Sequence, residues 1–399
     1  MTEPTSEDEL ADIIASAKGP LAIEGGGTRQ MHPEGDRLCL KGISGITLYE
    51  PGALTLVAKV GTTLREIEAA LDAENQMLAF EPFDLKTLLG SSGETTIGGI
   101  VASNASGPAR MQLGSCRDFL LGARFVDGRG EIIESGGRVM KNVTGYDLAR
   151  LMCGAHGTLG VLTEVSFKVL PRPETQATLT LENVDPDAAV PAMSAALTSQ
   201  FEVTGAYYGQ DDPARPAHVR IRVQGPEASV NYRVSKLTDV LADFGEDQTV
   251  DTHEASRNIW SAIRDVTFLK DKEFVLRSSM PATKHSQILE RGELDAEEHL
   301  DWGGGRRWTA ASKDDLLAMG AAAEGDDIDS ADAAAEMMLS LVRSEIEFVG
   351  GHSTVVKASQ AVRSAVDVFH PESSTLQALA REMRSNFDPR GILNPGLMG

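Results

Sequence analysis

The residues most suited to chemistry in this chain are small ones, gathered in three places. The first is "LAIEGGGTRQ", where a short apolar run leads into Gly25, Gly26, Gly27, Thr28 and Arg29. Consecutive glycine N–H groups can converge on an anion, and a following hydroxyl and guanidinium add hydrogen bonds and charge. A plain strand-to-turn connection fits the same residues. Neither common phosphate motif is present: a G-x-G-x-x-G run would need glycine where Gln30 stands, and no Gly-Lys-Ser/Thr tripeptide occurs. The second cluster, "SSGETTIGGIVASNASGPARMQLGS", carries Gly93, Gly98, Gly99, Gly107 and Gly114 among hydroxyl and amide side chains. The third, "LMCGAHGTLGVLTEVSFKV", places Gly154, Gly157 and Gly160 ahead of an alternating run. Three separate loops of small residues suit a long polar ligand better than one phosphate, and a dinucleotide has that length.

Other chemistry is sparsely supported. The eight histidines are His32, His156, His218, His253, His285, His299, His352 and His370, and no two make an HxH or HxxxH pair. No metal site is expected. Cys39, Cys116 and Cys153 are widely spaced, which argues against a disulfide framework and leaves too few thiols for a four-cysteine iron–sulfur site. A reducing cytoplasm fits this usage. His352 in "GGHST" and Arg306 and Arg307 in "WGGGRRW" are the polar candidates for a catalytic role.

These loops need a scaffold, and the periodicities supply one. Val161, Thr163, Val165, Phe167 and Val169 share one face at period two, which predicts a half-buried strand. "LTLVAKVG" reads as another strand. Leu64, Ile67 and Leu71 then form a helical stripe, with Thr63 and Glu66 spaced as a capping box. "FLLGARFVDGRGEII" predicts two strands around a turn at Asp127–Gly130. The two prolines of "LPRPET" mark the end of this first, α+β lobe. Beyond it, strand-like runs such as "AHVRIRVQG" alternate with helical ones such as "ASRNIWSAIRDV". "AAAEGDDIDSADAAAEMM" reads equally as a helix with a solvated face or as a loop. The tail "FDPRGILNPG" reads as a structured turn.

At 399 residues the chain can hold two sizeable cores, and 41% hydrophobic with 24% charged residues is ordinary for a globular protein. A net charge of −22 argues against nucleic acid or an anionic membrane surface as partner. The acidic start "MTEPTSEDEL" lacks the order of a signal peptide, and no apolar run approaches a membrane span.

Taken in order, "PLAIEGGGTRQ", "TTIGGIVASNASG", "VMKNVTGYDLARLMCGAHGTLGVLTEVSFKVLP" and "FDPRGILNPG" resemble the vanillyl-alcohol-oxidase/PCMH-type FAD-binding flavoproteins. "GTTLREIEAALDAENQMLAFEP", "GPARMQLGSCRDFLLGARFVDGRGEII", "NIWSAIRD", "DWGGGRRW" and "GGHSTVVKA" extend the likeness to the E-type FAD-binding subunits of bacterial glycolate oxidases. The segment around 311–340 carries none of it.

The resemblance implies a two-subdomain FAD-binding domain over residues 1–172 and an α/β substrate or cap domain over 173–355. A C-terminal segment, 356–399, is then expected to return to the FAD domain. It implies that Gly25–Arg29 hold the pyrophosphate of FAD and that Thr96, Gly98, Gly99, Asn104 and Gly107 follow the cofactor toward the flavin. Gly157, Leu159, Gly160 and Val161 are expected against the adenine half, with Asn394 of the tail also at the cofactor. His32 does not match a flavin-attachment motif, so FAD is expected to be non-covalent. Glycolate oxidation to glyoxylate would run in a complex with a second FAD-binding subunit and an iron–sulfur subunit, in the cytoplasm or at the inner face of the membrane. Metal-dependent relatives use closely spaced histidines that this chain lacks, so turnover by the isolated chain is not expected. The alternatives are a flavoprotein subunit with a structural role and a stand-alone FAD-dependent 2-hydroxyacid oxidase.

Overall fold

A computed structural model of the chain describes residues 1–31, 33–138, 145–211, 215–245, 247–291, 296–322 and 331–398. His32, residues 139–144 of the third motif and residues 323–330 of the acidic segment lie outside the described residues. The chain divides into two compact units: residues 1–107, 113–172 and 371–399 form the first, and 108–112 with 173–370 the second.

In the first unit, strands β1 (Leu21–Glu24) and β2 (Asp36–Cys39) pair in parallel. β3 (Ile46–Glu50), β4 (Thr55–Lys59), β6 (Leu120–Val126), β7 (Ile132–Gly136) and β8 (Val161–Lys168) make an antiparallel sheet in the order β3-β4-β8-β6-β7. The short strands β5 (Gln76–Met77) and β9 (Leu170–Pro171) pair separately. β8 is the alternating run, but it is central in its sheet and buried on both faces, with only Glu164 and Lys168 partly exposed. The expected half-burial fails: β8 has β4 and β6 on its two sides and packs against the helix over Ile97–Ala102, and residues on both of its faces are buried. The turn between β6 and β7 is fixed by Asp127, whose carboxylate accepts from the N–H of Arg129 (2.8 Å) and Glu131 (2.9 Å), with Gly130 at φ +86°.

The helix over Leu64–Asp72 starts as its sequence predicts. The Thr63 hydroxyl accepts from the Glu66 N–H (3.2 Å), and the Glu66 carboxylate accepts from the Thr63 N–H (2.9 Å). Those bonds from Thr63 also hold the Glu66 carboxyl below its ordinary pKa.

The second unit holds β10 (Thr175–Leu181), β11 (Gly205–Gly209), β12 (His218–Gly225), β13 (Gln248–Thr252), β14 (Phe274–Ser279), β15 (Glu297–Asp301), β16 (Arg306–Ala311) and β17 (His352–Lys357). They form one sheet in the order β13-β10-β12-β11-β15-β16-β14-β17, antiparallel at every pairing. The alternation of strands and helices here therefore makes no parallel crossover. One face buries Leu179, Ile221, Leu276 and Val355 against helices over 186–197, 227–240 and 331–348. Residues 356–370 pack with this unit rather than with the tail, because β17 runs to Lys357 and Arg343 donates to the Phe369 carbonyl (2.9 Å).

Candidate functional site: a glycine-lined cleft in the first unit

The three glycine loops and the C-terminal tail come together around a cleft of about 390 Å³, a size suited to a cofactor-scale ligand. The first loop leaves β1, and the tail fastens it. Leu21 N–H donates to the Ile392 carbonyl (2.7 Å) and Asn394 N–H to the Leu21 carbonyl (3.1 Å), so the tail runs beside β1 as a further strand segment. The Asn394 side chain is buried, accepts from Ile23 N–H (2.6 Å) and donates to the His156 carbonyl (2.9 Å). One amide thus ties the first loop to the third.

Of the residues expected at the cofactor, Gly25 to Arg29, Thr96, Gly98, Gly99, Gly157, Gly160, Val161 and Asn394 line the cleft. Asn104, Gly107 and Leu159 do not. The Asn104 amide oxygen accepts from the Arg117 N–H (3.1 Å), Gly107 donates to the Phe80 carbonyl (2.9 Å), and Leu159 is buried. Sequence reasoning missed His156 and Met152 of the third loop and Ser103 of the second, all in the lining. His156 stands inside the quoted glycine run at φ +51°, and that position was its signal.

The glycines fall into two groups by what a Cβ would meet. At Gly26 it would lie 1.6 Å from the Glu94 carbonyl oxygen, and at Gly93 1.8 Å from that of Gly26, so the first two loops interlock backbone to backbone. At Gly98 and Gly160 it would strike Val60 and Phe125, each at 2.7 Å. These four glycines serve packing. At Gly99 the nearest atom is the Thr96 hydroxyl at 3.5 Å, and at Gly27, with φ +69°, nothing lies within 4 Å. Those two leave room along the lining for a ligand.

Arg29 supplies the charge. Its guanidinium stacks over the Phe83 ring at 5.0 Å, and burial pulls its pKa down to about 10 against the opposing pull of Asp84. It stays cationic at neutral pH, half-buried and without an ion-pair partner among the described residues. A half-buried cation beside glycine N–H groups fits an anionic group such as a pyrophosphate.

The catalytic candidates sit in the second unit and divide. Arg306 and Arg307 are each 1% exposed. Arg306 is paired with Asp301 and lies against Trp302 (4.2 Å), while Arg307 bridges Glu298 and Glu345 (2.8 Å to the latter). Both are held in buried ion pairs, a geometry that does not favour the catalytic role expected of them. His352 is exposed at the start of β17. Among the described residues no three His, Cys, Asp or Glu side chains are grouped as metal ligands, and no helix is long and apolar enough to cross a membrane.

His218 in β12 gives a pH prediction. It is 5% exposed, with Asp211 3.8 Å away, and burial followed by Arg220 pulls its pKa down to about 4. The unfolded chain takes up this proton near pH 6.5, the folded one only near 4. Stability is therefore full above pH 6.5 and falls as the pH drops toward 4, by at most about 3 kcal/mol from this group. Urea midpoints of His218→Gln should be flatter than wild type across that window. An unchanged slope would assign the acid limb to other groups.

A family model described as "FAD binding domain" matches residues 1–136. Among solved structures, an alkyldihydroxyacetonephosphate synthase superposes with a TM-score of 0.66 at 16% identity, covering 98% of this chain and 76% of that one. Fold and cleft define an FAD-binding flavoprotein of the vanillyl-alcohol-oxidase/PCMH type, of class α+β. Among curated relatives, glycolate oxidase subunit GlcE of Escherichia coli (strain K12) is 31% identical over 98% of this chain and 95% of its own length. Glycolate oxidase subunit GlcD of Bacillus subtilis (strain 168) is 25% identical over 99% and 87%. The chain belongs to the GlcE family of FAD-binding glycolate oxidase subunits. Its cofactor is FAD, and it is an FAD-dependent oxidoreductase.

Proposed function

We propose that this chain is the FAD-carrying subunit of a glycolate-oxidising assembly, bound to a second FAD-binding subunit and to an iron–sulfur subunit that takes the electrons onward. The observation that carries the reading is the convergence of three glycine loops and the half-buried Arg29 on one cleft, in a chain alignable to GlcE along 98% of its length. FAD, when bound, supplies the two-electron redox chemistry. The protein's part is to hold and orient it. Arg29 and the loop over Gly25–Thr28 would face the pyrophosphate, Gly99 leaves space for the cofactor's course, and Asn394 keeps the first and third loops at fixed separation. The likeness to both GlcE and GlcD supports two subunits of one fold in the assembly. Three cysteines, all buried, are too few for a four-cysteine cluster, so an electron exit falls to a partner.

A structural subunit without turnover is the second reading. It is favoured by the enclosure of Arg306 and Arg307 in buried ion pairs, which removes two of three polar candidates.

The test is made on the full chain purified with its flavin. Acid precipitation should leave the yellow colour in the supernatant. Colour in the pellet would indicate covalent attachment, with His156 in the cleft wall as the first residue to replace. Dye reduction by glycolate should be absent with the chain alone and appear on assembly with its partners. Turnover by the isolated chain would replace the subunit reading with a self-sufficient oxidase.

A further inference from the structure

The C-terminal tail joins β1 through a short contact, and the register of that contact decides the shape of the cleft. The main chains meet in a parallel bridge between Leu21 and Leu393, where Leu21 N–H donates to Ile392 and Asn394 N–H to Leu21. A strand contact this short does not fix its own register, and a slip of one residue turns every side chain to the other side. Such a slip would put Leu393 or Pro395 where the Asn394 amide now bonds the Ile23 N–H and the His156 carbonyl. The first and third glycine loops would then lose their tie.

Arg390 supplies what the bridge lacks. The residue is exposed, yet its guanidinium directs all five N–H donors at main-chain carbonyls. Nε donates to Gly128 (3.1 Å), one terminal nitrogen to Ala15 (3.2 Å) and Ala17 (3.1 Å), and the other to Ile14 (2.5 Å) and Gly128 (2.7 Å). Ile14, Ala15 and Ala17 close the helix over Glu7–Ser16. Carbonyls at a helix C-terminus lack partners further along the helix and gather partial negative charge, so a cation is favoured there. Ala17 lies just ahead of β1, so the arginine grips the chain next to the strand that its own tail joins. Gly128 sits in the turn between β6 and β7. Its N–H donates to the Phe387 carbonyl (2.9 Å), and a Cβ there would lie 2.6 Å from the Asp388 Cα. The start of the tail is thus set against this turn, and Arg390 joins turn, helix end and tail at one point.

We propose that Arg390 is a positioning residue for the cofactor cleft, pinning the tail in the register that puts Asn394 between the first and third loops. The role toward FAD rests on the reading above that FAD lies in this cleft; the register and the arginine's bonds do not depend on it. Arg390 is not part of the cleft lining and acts through Asn394, which is. Its exposed place also separates it from the core, where Ile392 and Leu393 of the same tail are buried. Replacing it therefore loosens the register without opening the fold.

The test is FAD affinity of the full-length apoprotein, read by fluorescence titration beside its thermal melt. Arg390→Gln should weaken FAD binding about 10-fold, the factor of one charge-assisted hydrogen bond. Arg390→Lys keeps the charge but not the planar fork, and should recover part of the loss. Arg381→Gln, on the exposed helix over 374–387, should change nothing. A double-mutant cycle supplies the readout that a merely structural role would not move. Its second variant is Asn394→Gly, since residue 394 has φ +45° and glycine adopts that angle without strain. Arg390→Gln with Asn394→Gly should bind FAD no more weakly than Asn394→Gly alone, because the register matters only while the amide is there. Effects that multiply instead overturn the proposal. Should Arg390→Gln melt too early to titrate, amide exchange at Ile23 in Arg390→Lys replaces it. Exchange several-fold faster than wild type is expected, and wild-type protection overturns the register role. Asn394→Gly that weakens FAD binding while Arg390→Gln leaves it unchanged overturns the positioning role and keeps FAD in the cleft. Affinity untouched in Asn394→Gly and Gly99→Val alike moves the cofactor out of the cleft, and the proposal falls with that reading.

Discussion

Arg307→Ala is expected to destabilise the protein by about 3–5 kcal/mol, the cost of leaving a buried charge without its partner. Arg307 is 1% exposed and bridges Glu298 and Glu345, and Glu345 is itself 1% exposed. Burial opposes the guanidinium charge, yet the two carboxylates outweigh it and hold its pKa above the ordinary value. Truncating the arginine strands the buried Glu345 carboxylate in the core that holds Leu339, Val342 and Ile346, while Glu298, with its side chain 22% exposed, keeps some access to water. Arg307→Leu combined with Glu345→Leu should recover much of the loss, since a buried pair is replaced by apolar packing more cheaply than it is broken. Urea midpoints of the single and double variants measure this. A single variant as stable as wild type that nonetheless abolished turnover in the assembly would return Arg307 to the chemistry.

The same residues show what a sequence reveals and what it withholds. "GGGRRW" advertises two arginines, but not that β15 and β16 pair as a hairpin that sets Asp301 opposite Arg306 and Leu300 opposite Arg307. Glu345 is brought to Arg307 by a helix 38 residues further on. Local patterns were legible: the capping box at Thr63, the turn at Asp127 and the strand over Val161–Lys168 each rest on neighbours in the chain. Burial of that strand on both faces was not, since alternation reports one face and the cover of the other comes from elsewhere. Asn394 lies beyond any local pattern, because its bond to Ile23 spans 371 residues. The glycine clusters were visible as clusters. Which glycine yields to backbone, which to a side chain and which to a ligand is decided by neighbours that no spacing encodes.

Gly99→Val should weaken FAD binding about 10–100-fold while leaving the apoprotein's melting temperature close to wild type. A Cβ at Gly99 meets the Thr96 hydroxyl at 3.5 Å and nothing nearer, so the added methyl groups project into the cleft rather than into the fold. Overlap of that size with a bound ligand costs about 1–3 kcal/mol, which sets the factor. The residue lies within the helix over Ile97–Ala102 with ordinary backbone angles, so valine meets only a modest propensity penalty there. Gly160→Val is the contrasting variant. Its Cβ would lie 2.7 Å from the Phe125 ring, and Phe125 is a fully buried core residue, so melting should fall whether or not flavin is present. Loss of flavin from Gly160→Val alone therefore says nothing about contact with the cofactor; the two variants must be read together. Fluorescence titration of the apoproteins with FAD, paired with thermal melts without it, separates them. Gly99→Val with wild-type affinity would mean that the cofactor does not pass this part of the cleft, and the course assigned to it from Arg29 past Gly99 would have to be redrawn.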